Sequence, residues 1–272
     1  MKANPGRKES TMAKTVNIPV TMFGPDGQKP GHDEIACEMP LTIFFNGAEL
    51  LTTLCTPVDL DYLTAGILES EGLISGPADI SSMKMSTDER SVYVESPVNI
   101  DLQEKAAFKP LIASGGGKGS SSYDLRRALK GMVESEVTIS TDQIIALAND
   151  FLTHSSTYEN THGVHSAALS DSQKIILFQD DIGRHNALDK IFGECLVKEM
   201  PLNDGIILTS GRVSSEIILK IARRRVPVLI SKASPTNQGV SLAKGIGITL
   251  VRVTRGGNIF VYSHPERISS GA

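Results

Sequence analysis

At 272 residues the chain has room for one large domain or two modest ones, each with its own core. Hydrophobic residues make up 40% and charged residues 21%, and the formal net charge of -4 gives no electrostatic basis for non-specific binding to nucleic acid or an anionic membrane. No apolar run approaches the ~20 residues of a membrane span, and the opening MKANPGRKES lacks the apolar centre of a signal peptide. A cytoplasmic protein with a flexible arm over residues 1–14 is expected, with no membrane insertion and no nucleic-acid partner.

In chain order, residues 16–20 and 41–45 read as strands, the second closed by an Asn46-Gly47 turn with its hairpin partner over 49–54. Thr56-Pro57 reads as the N-cap and first position of a helix on which Leu60, Leu63, Ile67, Leu68 and Leu73 share a face. Residues 83–85 and 92–94 are short strand candidates. Residues 109–122, rich in glycine and serine, predict a mobile loop. Helical spacing resumes over 123–133, and Ser140-Thr141-Asp142 caps another helix through Phe151.

From residue 162 strands alternate with helices. Strands are predicted at 165–169, 175–178, 205–209, 227–231, 249–253 and 259–262, with the last two antiparallel. Helices are predicted at 184–197, 214–225 and near 238–244. The fold class is α/β with an α+β N-terminal part, its second half a mixed, largely parallel sheet flanked by helices. The division is an N-terminal domain over 15–135, which includes the 109–122 loop, and a C-terminal domain over 136–272.

Three cysteines, Cys37, Cys55 and Cys195, are widely spaced with no CxxC pair, so neither a disulfide framework nor a structural zinc site fits. Buried thiols are the expectation for all three. Cys55 alone sits beside a predicted helix start, where a thiol pKa can be depressed. His162 and His165 form no convincing zinc set, and no metal is expected.

Four polar clusters each end an apolar run. Ser210-Gly211-Arg212 lies between a buried strand and a helix capped by Ser214 or Ser215, a turn that can direct backbone N–H groups and a guanidinium at phosphate. Ser231-Lys232-Ala233-Ser234-Pro235-Thr236 ends the next strand, and Asp180-Asp181-Ile182-Gly183-Arg184-His185 an earlier one. The turn from Arg255 to Asn258 adds a guanidinium and glycine backbone. Such turns on one sheet edge fit a polyanionic, nucleotide-like ligand. Asp181, Arg184 and His185 are acid–base candidates, although an Asp–Arg pair can equally clamp a helix start. Arg223-Arg224-Arg225 reads as a solvated face in the last turn of a helix.

The order of these motifs carries a resemblance. Thr56-Pro57-Val58-Asp59-Leu60, Gly66 to Gly72, His162-Gly163-Val164-His165, the run GRHNALDK from Gly183 to Lys190, Ser210-Gly211-Arg212, Ser234-Pro235-Thr236 and Arg255-Gly256-Gly257 resemble the formate dehydrogenase accessory sulfurtransferases of the FdhD family. The resemblance covers nearly the whole chain. It implies a cytidine-deaminase-like C-terminal domain without the deaminase zinc, and a cytoplasmic homodimer that binds the bis-molybdopterin guanine dinucleotide (the molybdenum cofactor) as client. It further implies a sulfurtransferase that takes sulfur from a cysteine desulfurase as a persulfide and passes it to the metal before the cofactor enters formate dehydrogenase. The implied cofactor-binding residues are Val253, Thr254, Arg255, Gly256, Gly257 and Asn258, beside Ser210, Gly211, Arg212, Ser234 and Thr236 from the turns.

The chain departs from the family in the loop. Where the family carries CGxCGK, this sequence reads Ala113-Ser114-Gly115-Gly116-Gly117-Lys118, and a one-cysteine GCGxG form would also place its cysteine at Gly116. Ala113 and Gly116 are therefore the positions of the absent persulfide cysteines, with Lys118, Asp181, Arg184 and His185 as supporting candidates. A serine hydroxyl cannot replace a thiolate as the sulfur nucleophile. Three readings follow: sulfur transfer through another thiol, a non-catalytic chaperone for the cofactor, and, from fold analogy alone, a nucleotide-processing enzyme. Labelling by a desulfurase, binding without labelling, and turnover of a free nucleotide distinguish them.

Overall fold

The computed structural model describes residues 12–86, 88, 90–98, 111–112, 118–119 and 133–271. Within the predicted 109–122 loop it describes only a short antiparallel pair, β7 (Leu111–Ile112) against β8 (Lys118–Gly119). Ala113, Gly116 and all but the last residue of the helix predicted over 123–133 lie outside the described residues.

The chain begins with a two-stranded ribbon, β1 (Thr15–Gly24) and β2 (Gly27–Ala36), joined through Pro25-Asp26. Its second strand, GQKPGHDEIA, has no alternation of apolar residues and gives no strand signal in the sequence. The ladder with β1 holds it extended.

β3 (Met39–Phe45) follows strict period-two burial, with Met39, Leu41, Ile43 and Phe45 inward. It turns at Asn46-Gly47, both at positive φ (48° and 77°), into β4 (Ala48–Cys55), as the Asn-Gly pair predicts. β5 (Ser82–Ser86) and β6 (Ser91–Glu95) complete a four-stranded sheet in the order β4-β3-β6-β5. Helix α1 (Leu60–Ser70) covers it with Leu60, Leu63, Ile67 and Leu68.

α1 begins three residues later than Thr56-Pro57 suggests, with Asp59 at the N-cap in the left-handed region (φ 53°). Thr56 is fully buried and used elsewhere. Its N–H donates to Asp181 Oδ2 (3.1 Å), and its Oγ1 accepts from the Ile182 N–H (3.1 Å). A tertiary partner has displaced the local cap.

The C-terminal part is built on a six-stranded sheet in the order β11-β10-β12-β13-β14-β15. After the short β9 (Ile139–Ser140), its strands are β10 (His165–Ser170), β11 (Ile175–Asp181), β12 (Ile206–Thr209), β13 (Val228–Ser231), β14 (Thr249–Val253) and β15 (Ile259–Ser263). Parallel pairing is confined to the central β12, β13 and β14, and the flanking strands pair antiparallel. The sheet is thus mixed, with parallel strands where crossover helices join them.

Helices α2 (Thr141–Thr153) and α3 (Ser156–Thr161) precede this sheet. α2 packs Ile144, Leu147 and Phe151 against Ala168, Leu208, Ile230 and Val251 on one face. Its start carries the predicted cap: Ser140 Oγ accepts from the Gln143 N–H (3.2 Å), and Gln143 Oε1 accepts from the Ser140 N–H (2.9 Å). The other face is covered by α4 (Arg184–Val197), α5 (Ser215–Arg223) and α6 (Asn237–Ile246) over Ala167, Leu169, Ile207, Leu229 and Leu250. Successive strand residues alternate between the two cores, so each core reads one parity of the same strands.

α1 and α4 bring the two parts into backbone contact. A Cβ on Gly193 would stand 2.7 Å from the backbone nitrogen of Gly66 and closer still to the Tyr62 carbonyl oxygen. A Cβ on Gly66 would collide in the same way with Asp189. Polar bonds tie the same junction. Asp189 accepts from Lys220 Nζ (2.6 and 2.7 Å) and from Ser70 Oγ (2.7 Å).

The arginine run at the end of α5 is not the solvated face that its charge suggests. Arg224 is buried, with its guanidinium 4.0 Å above the Phe192 ring centroid and 2.6 Å from Glu69 Oε2. Arg223 donates to the Ser70 carbonyl, and only Arg225 of the three is exposed. Association between the two parts buries the cations that sequence alone assigns to water.

Candidate functional site

Three parallel strands, β12 to β14, end on one edge of the six-stranded sheet, and the antiparallel register brings three further segments there. His165 opens β10 opposite Asp181, which closes β11, while Ala167 stands opposite Thr209 of β12. The turn before β15 closes the edge at residues 254–258. The four polar clusters read from the sequence therefore meet on one edge.

Ser210 sits at its centre. Its Oγ accepts from the Ser166 N–H (2.9 Å) and lies 3.3 Å from His165 Nδ1. The Gly211 N–H is not directed outward, because it donates to Thr209 Oγ1 (3.2 Å). Gly211 is required there for another reason: a Cβ would stand 2.8 Å from Arg184 Cβ, so the arginine stem crosses directly over the glycine. Arg212 is exposed. At the start of α5, Ser214 makes no cap bond with its side chain, and its buried Oγ has no hydrogen-bond partner among the described residues.

The neighbouring turn is more self-contained. Thr236 caps α6, its Oγ1 accepting from the Gly239 N–H (3.1 Å), and Ser231 Oγ is bound to the Gly211 and Ala233 carbonyls (3.1 and 2.9 Å). In the 254–258 turn the Thr254 N–H donates to the Asn258 carbonyl (3.0 Å), and Gly257 takes φ 76°. Arg255, Gly256 and Asn258 are exposed, whereas Val253 is buried in the core against α2 and offers no side chain to a ligand. Ser234 is exposed between these turns.

Cations face one another across this edge. The Arg184 pKa is depressed by burial and by Arg212, and Lys232 is depressed by burial and by Arg255. Positive groups held close enough to disfavour one another's charge form a site that an anion relieves. His185 Nε2 lies 3.2 Å from Glu216 Oε2, and that close pairing, ahead of other effects, holds the Glu216 carboxyl below its usual range. Glu216 is partly exposed beside this cluster, with 20% of its side chain accessible.

Asp181 does not serve the site as an acid or base. It is fully buried, 2.7 Å from Lys190 Nζ, and accepts from the N–H groups of Thr56 and Gly183 and from Asn186 Nδ2 (2.9 Å). Lys190 is buried as completely and donates to the Thr56 and Asp180 carbonyls (3.4 and 3.3 Å). Its partner is thus Lys190 rather than Arg184, and the pair clasps the start of α4 to the end of β4. Arg184 and His185 reach the edge because that clasp fixes the helix behind them.

The histidines of His162-Gly163-Val164-His165 part company. His162 ends α3 at φ 50° with its ring edge-on to Tyr158, while His165 turns to Ser210. Among the described residues no group of three or more His, Cys, Asp or Glu side chains is placed to hold a metal ion. Burial pushes the thiols of Cys55 and Cys195 up to about 12, so Cys55 gains no reactivity from its place before α1. Cys37 is half-buried at the end of the ribbon.

Fold and edge together define an α/β protein with a mixed six-stranded sheet and a cationic margin suited to an anionic ligand. The chain belongs to the FdhD/NarQ family, whose model matches residues 36–269. It is 40% identical over 239 residues to the sulfur carrier protein FdhD of Bacillus subtilis (strain 168), covering 87% of this chain and 90% of that protein. The sulfur carrier protein FdhD of Geobacillus kaustophilus (strain HTA426) is likewise 40% identical, over 242 residues, covering 88% and 91%. A crystal structure from Desulfotalea psychrophila, described as that of a formate dehydrogenase accessory protein, superposes with a TM-score of 0.78 at 25% identity, covering 94% of this chain and all of that one. Among the described residues no helix is long and apolar enough to cross a membrane.

Proposed function

We propose that this chain is a cytoplasmic formate dehydrogenase accessory protein that binds the bis-molybdopterin guanine dinucleotide cofactor at the cationic sheet edge, as a homodimer, and delivers it to formate dehydrogenase. The observation that carries the reading is the convergence of Arg184, Arg212, Lys232 and Arg255 on one edge, with the partly exposed Glu216 beside them. The group fits the donor set. Guanidinium forks suit pyrophosphate, and the unpartnered Ser214 hydroxyl at an uncapped helix start leaves a donor for a phosphate oxygen. Arg212, Lys232, Ser214 and Arg255 would hold the dinucleotide arm, while Asn258 and the glycine backbone of the last turn would line the base. When bound, the cofactor supplies the metal that accepts sulfur. The chain's part is to bind, orient and exclude.

Arg255→Ala is expected to weaken guanosine diphosphate binding in calorimetry by roughly tenfold, the scale of one lost charge-assisted hydrogen bond. The control is Arg225→Ala, since Arg225 is exposed and Arg223 is not a free surface residue. Equal affinities in the two variants would remove the ligand from this edge.

The second reading is sulfur transfer from a cysteine desulfurase, favoured by the names of the relatives and by the half-buried Cys37. The chemistry of the chain favours delivery without transfer. Neither Ala113 nor Gly116 bears sulfur, and a thiol raised to about 12 holds almost no thiolate at neutral pH. The unaltered chain is expected to gain no stable persulfide from a desulfurase and free cysteine. Gly116→Cys should gain one sulfur atom that reductant removes, with Ala113→Cys the next variant. Intact mass decides: sulfur on the unaltered chain, at Cys37 or elsewhere, would restore the transferase reading.

A further inference from the structure

His165 stands at the cationic edge, yet neither its sequence context nor the family resemblance gives it a part there. It opens β10, with Asp181 across the register on one side and Ser210, just past the end of β12, on the other. Charged groups act on it from the elements around it: Arg184 and His185 from α4, and Asp181 from β11. His185 is in turn held by Glu216 of α5, and Asp181 is committed to Lys190. The ring is half-buried.

We infer that His165 is a ligand-responsive residue of the anion site, which takes up a proton from solvent as a phosphorylated ligand settles beside Arg184, Arg212 and Ser210. The inference rests on the cofactor-binding reading above and names a group that this reading lacks.

Hydrogen bonding gives the step its structural content. Ser210 Oγ already accepts from the Ser166 N–H, so its own proton is available to His165 Nδ1 at 3.3 Å. A neutral ring accepts that proton at Nδ1 and carries its own on Nε2. Protonation reverses the bond: Nδ1–H donates to Ser210 Oγ, and the serine proton is free to turn toward the ligand. One proton therefore adds a cation and re-aims a hydroxyl, with no covalent bond to the ligand formed or broken.

The electrostatics run in the required direction. Burial, then Arg184, then His185 hold the imidazole below its usual range, against a weaker pull from Asp181. The free site therefore keeps the ring neutral at neutral pH. An added polyanion offsets the Arg184 charge and favours the imidazolium. Because the bound state holds more protons than the free state, affinity strengthens as pH falls through the bound ring's titration.

The test uses the full chain and guanosine diphosphate mannose, whose pyrophosphate diester does not itself titrate near neutrality. Calorimetry at one pH in two buffers of different protonation enthalpy gives the number of protons taken up. The unaltered chain and His32→Gln, whose ring is exposed on the β1-β2 ribbon, should both take up a measurable fraction of a proton. His165→Gln, which can still accept from Ser210, should take up none and lose the pH dependence. Should His165→Gln fail to fold, the ring resonance of His165 in the unaltered chain is followed by NMR against pH. Its midpoint should rise when the probe is added, and an unchanged midpoint overturns the inference. Binding with equal proton uptake in the unaltered chain and His165→Gln overturns it while leaving the cofactor reading intact. No binding at all by the unaltered chain overturns both.

Discussion

Gly193→Ala is expected to cost at least about 3 kcal/mol of stability, near the upper end for overpacking, because the new methyl meets backbone and not a side chain that can turn away. Gly193 and Gly66 face each other where α4 crosses α1, and neither helix can yield without moving Asp189 and Tyr62. Asp189 is fixed by Lys220 and Ser70, so the helix cannot slide to relieve the clash. At this chain length the loss corresponds to a fall in Tm of roughly 6–12 °C. Gly245→Ala is the matched control. That glycine lies in α6 with nothing within 4 Å of its would-be Cβ, and the substitution should stabilise by about 0.5–1 kcal/mol through helix propensity. Thermal melts of the two variants should therefore move in opposite directions. A Gly193→Ala melt within a degree of the unaltered chain would mean that the helices do not cross in backbone contact.

That crossing marks the boundary of what the sequence makes legible. Elements whose signal is local were readable: the helix over 184–197, the buried strand runs of the second half, the Asn46-Gly47 hairpin and the Ser140 cap all lie where periodicity and capping chemistry put them. β2 was not, because an exposed ribbon strand needs no apolar alternation once its partner supplies the ladder. Thr56-Pro57 has the composition of a helix start, but a buried carboxylate 125 positions away takes the threonine. Arg224 belongs to a charge run until Phe192 and Glu69 close over it.

The site divides along the same line. Ser210 to Arg212, Arg184, His185 and Arg255 stand on the edge to which the sequence assigns them, because each follows a strand or opens a helix, positions that sequence order reveals. Their internal obligations were not. Gly211 yields to the Arg184 stem, Thr236 spends its hydroxyl on α6, and Val253 faces the core. His165 joins the edge through the antiparallel register of β10, a relation between strands that one strand's residues do not encode. The relevant signal, a histidine at the first position of a strand beside the one that ends in Ser210, needs the strand order before it can be read.

Lys190→Met should destabilise the chain by about 3–5 kcal/mol, since it leaves the Asp181 carboxylate buried with neutral donors alone. Asp181→Asn should cost a similar amount by leaving the Lys190 ammonium with only the Thr56 and Asp180 carbonyls. Combining the two should cost less than their sum by roughly 2–3 kcal/mol, the coupling of a pair whose members are both wholly inaccessible to water. Urea midpoints of the four chains measure this directly. The cycle also reaches function, because the pair clasps β4 to the start of α4 and so sets where Arg184 and His185 stand. Either single variant should therefore weaken guanosine diphosphate binding although neither residue faces the ligand. Additive costs would show that Asp181 is held by its N–H donors alone. The start of α4 would then be fixed by Thr56 and Asn186 and not by the buried charge.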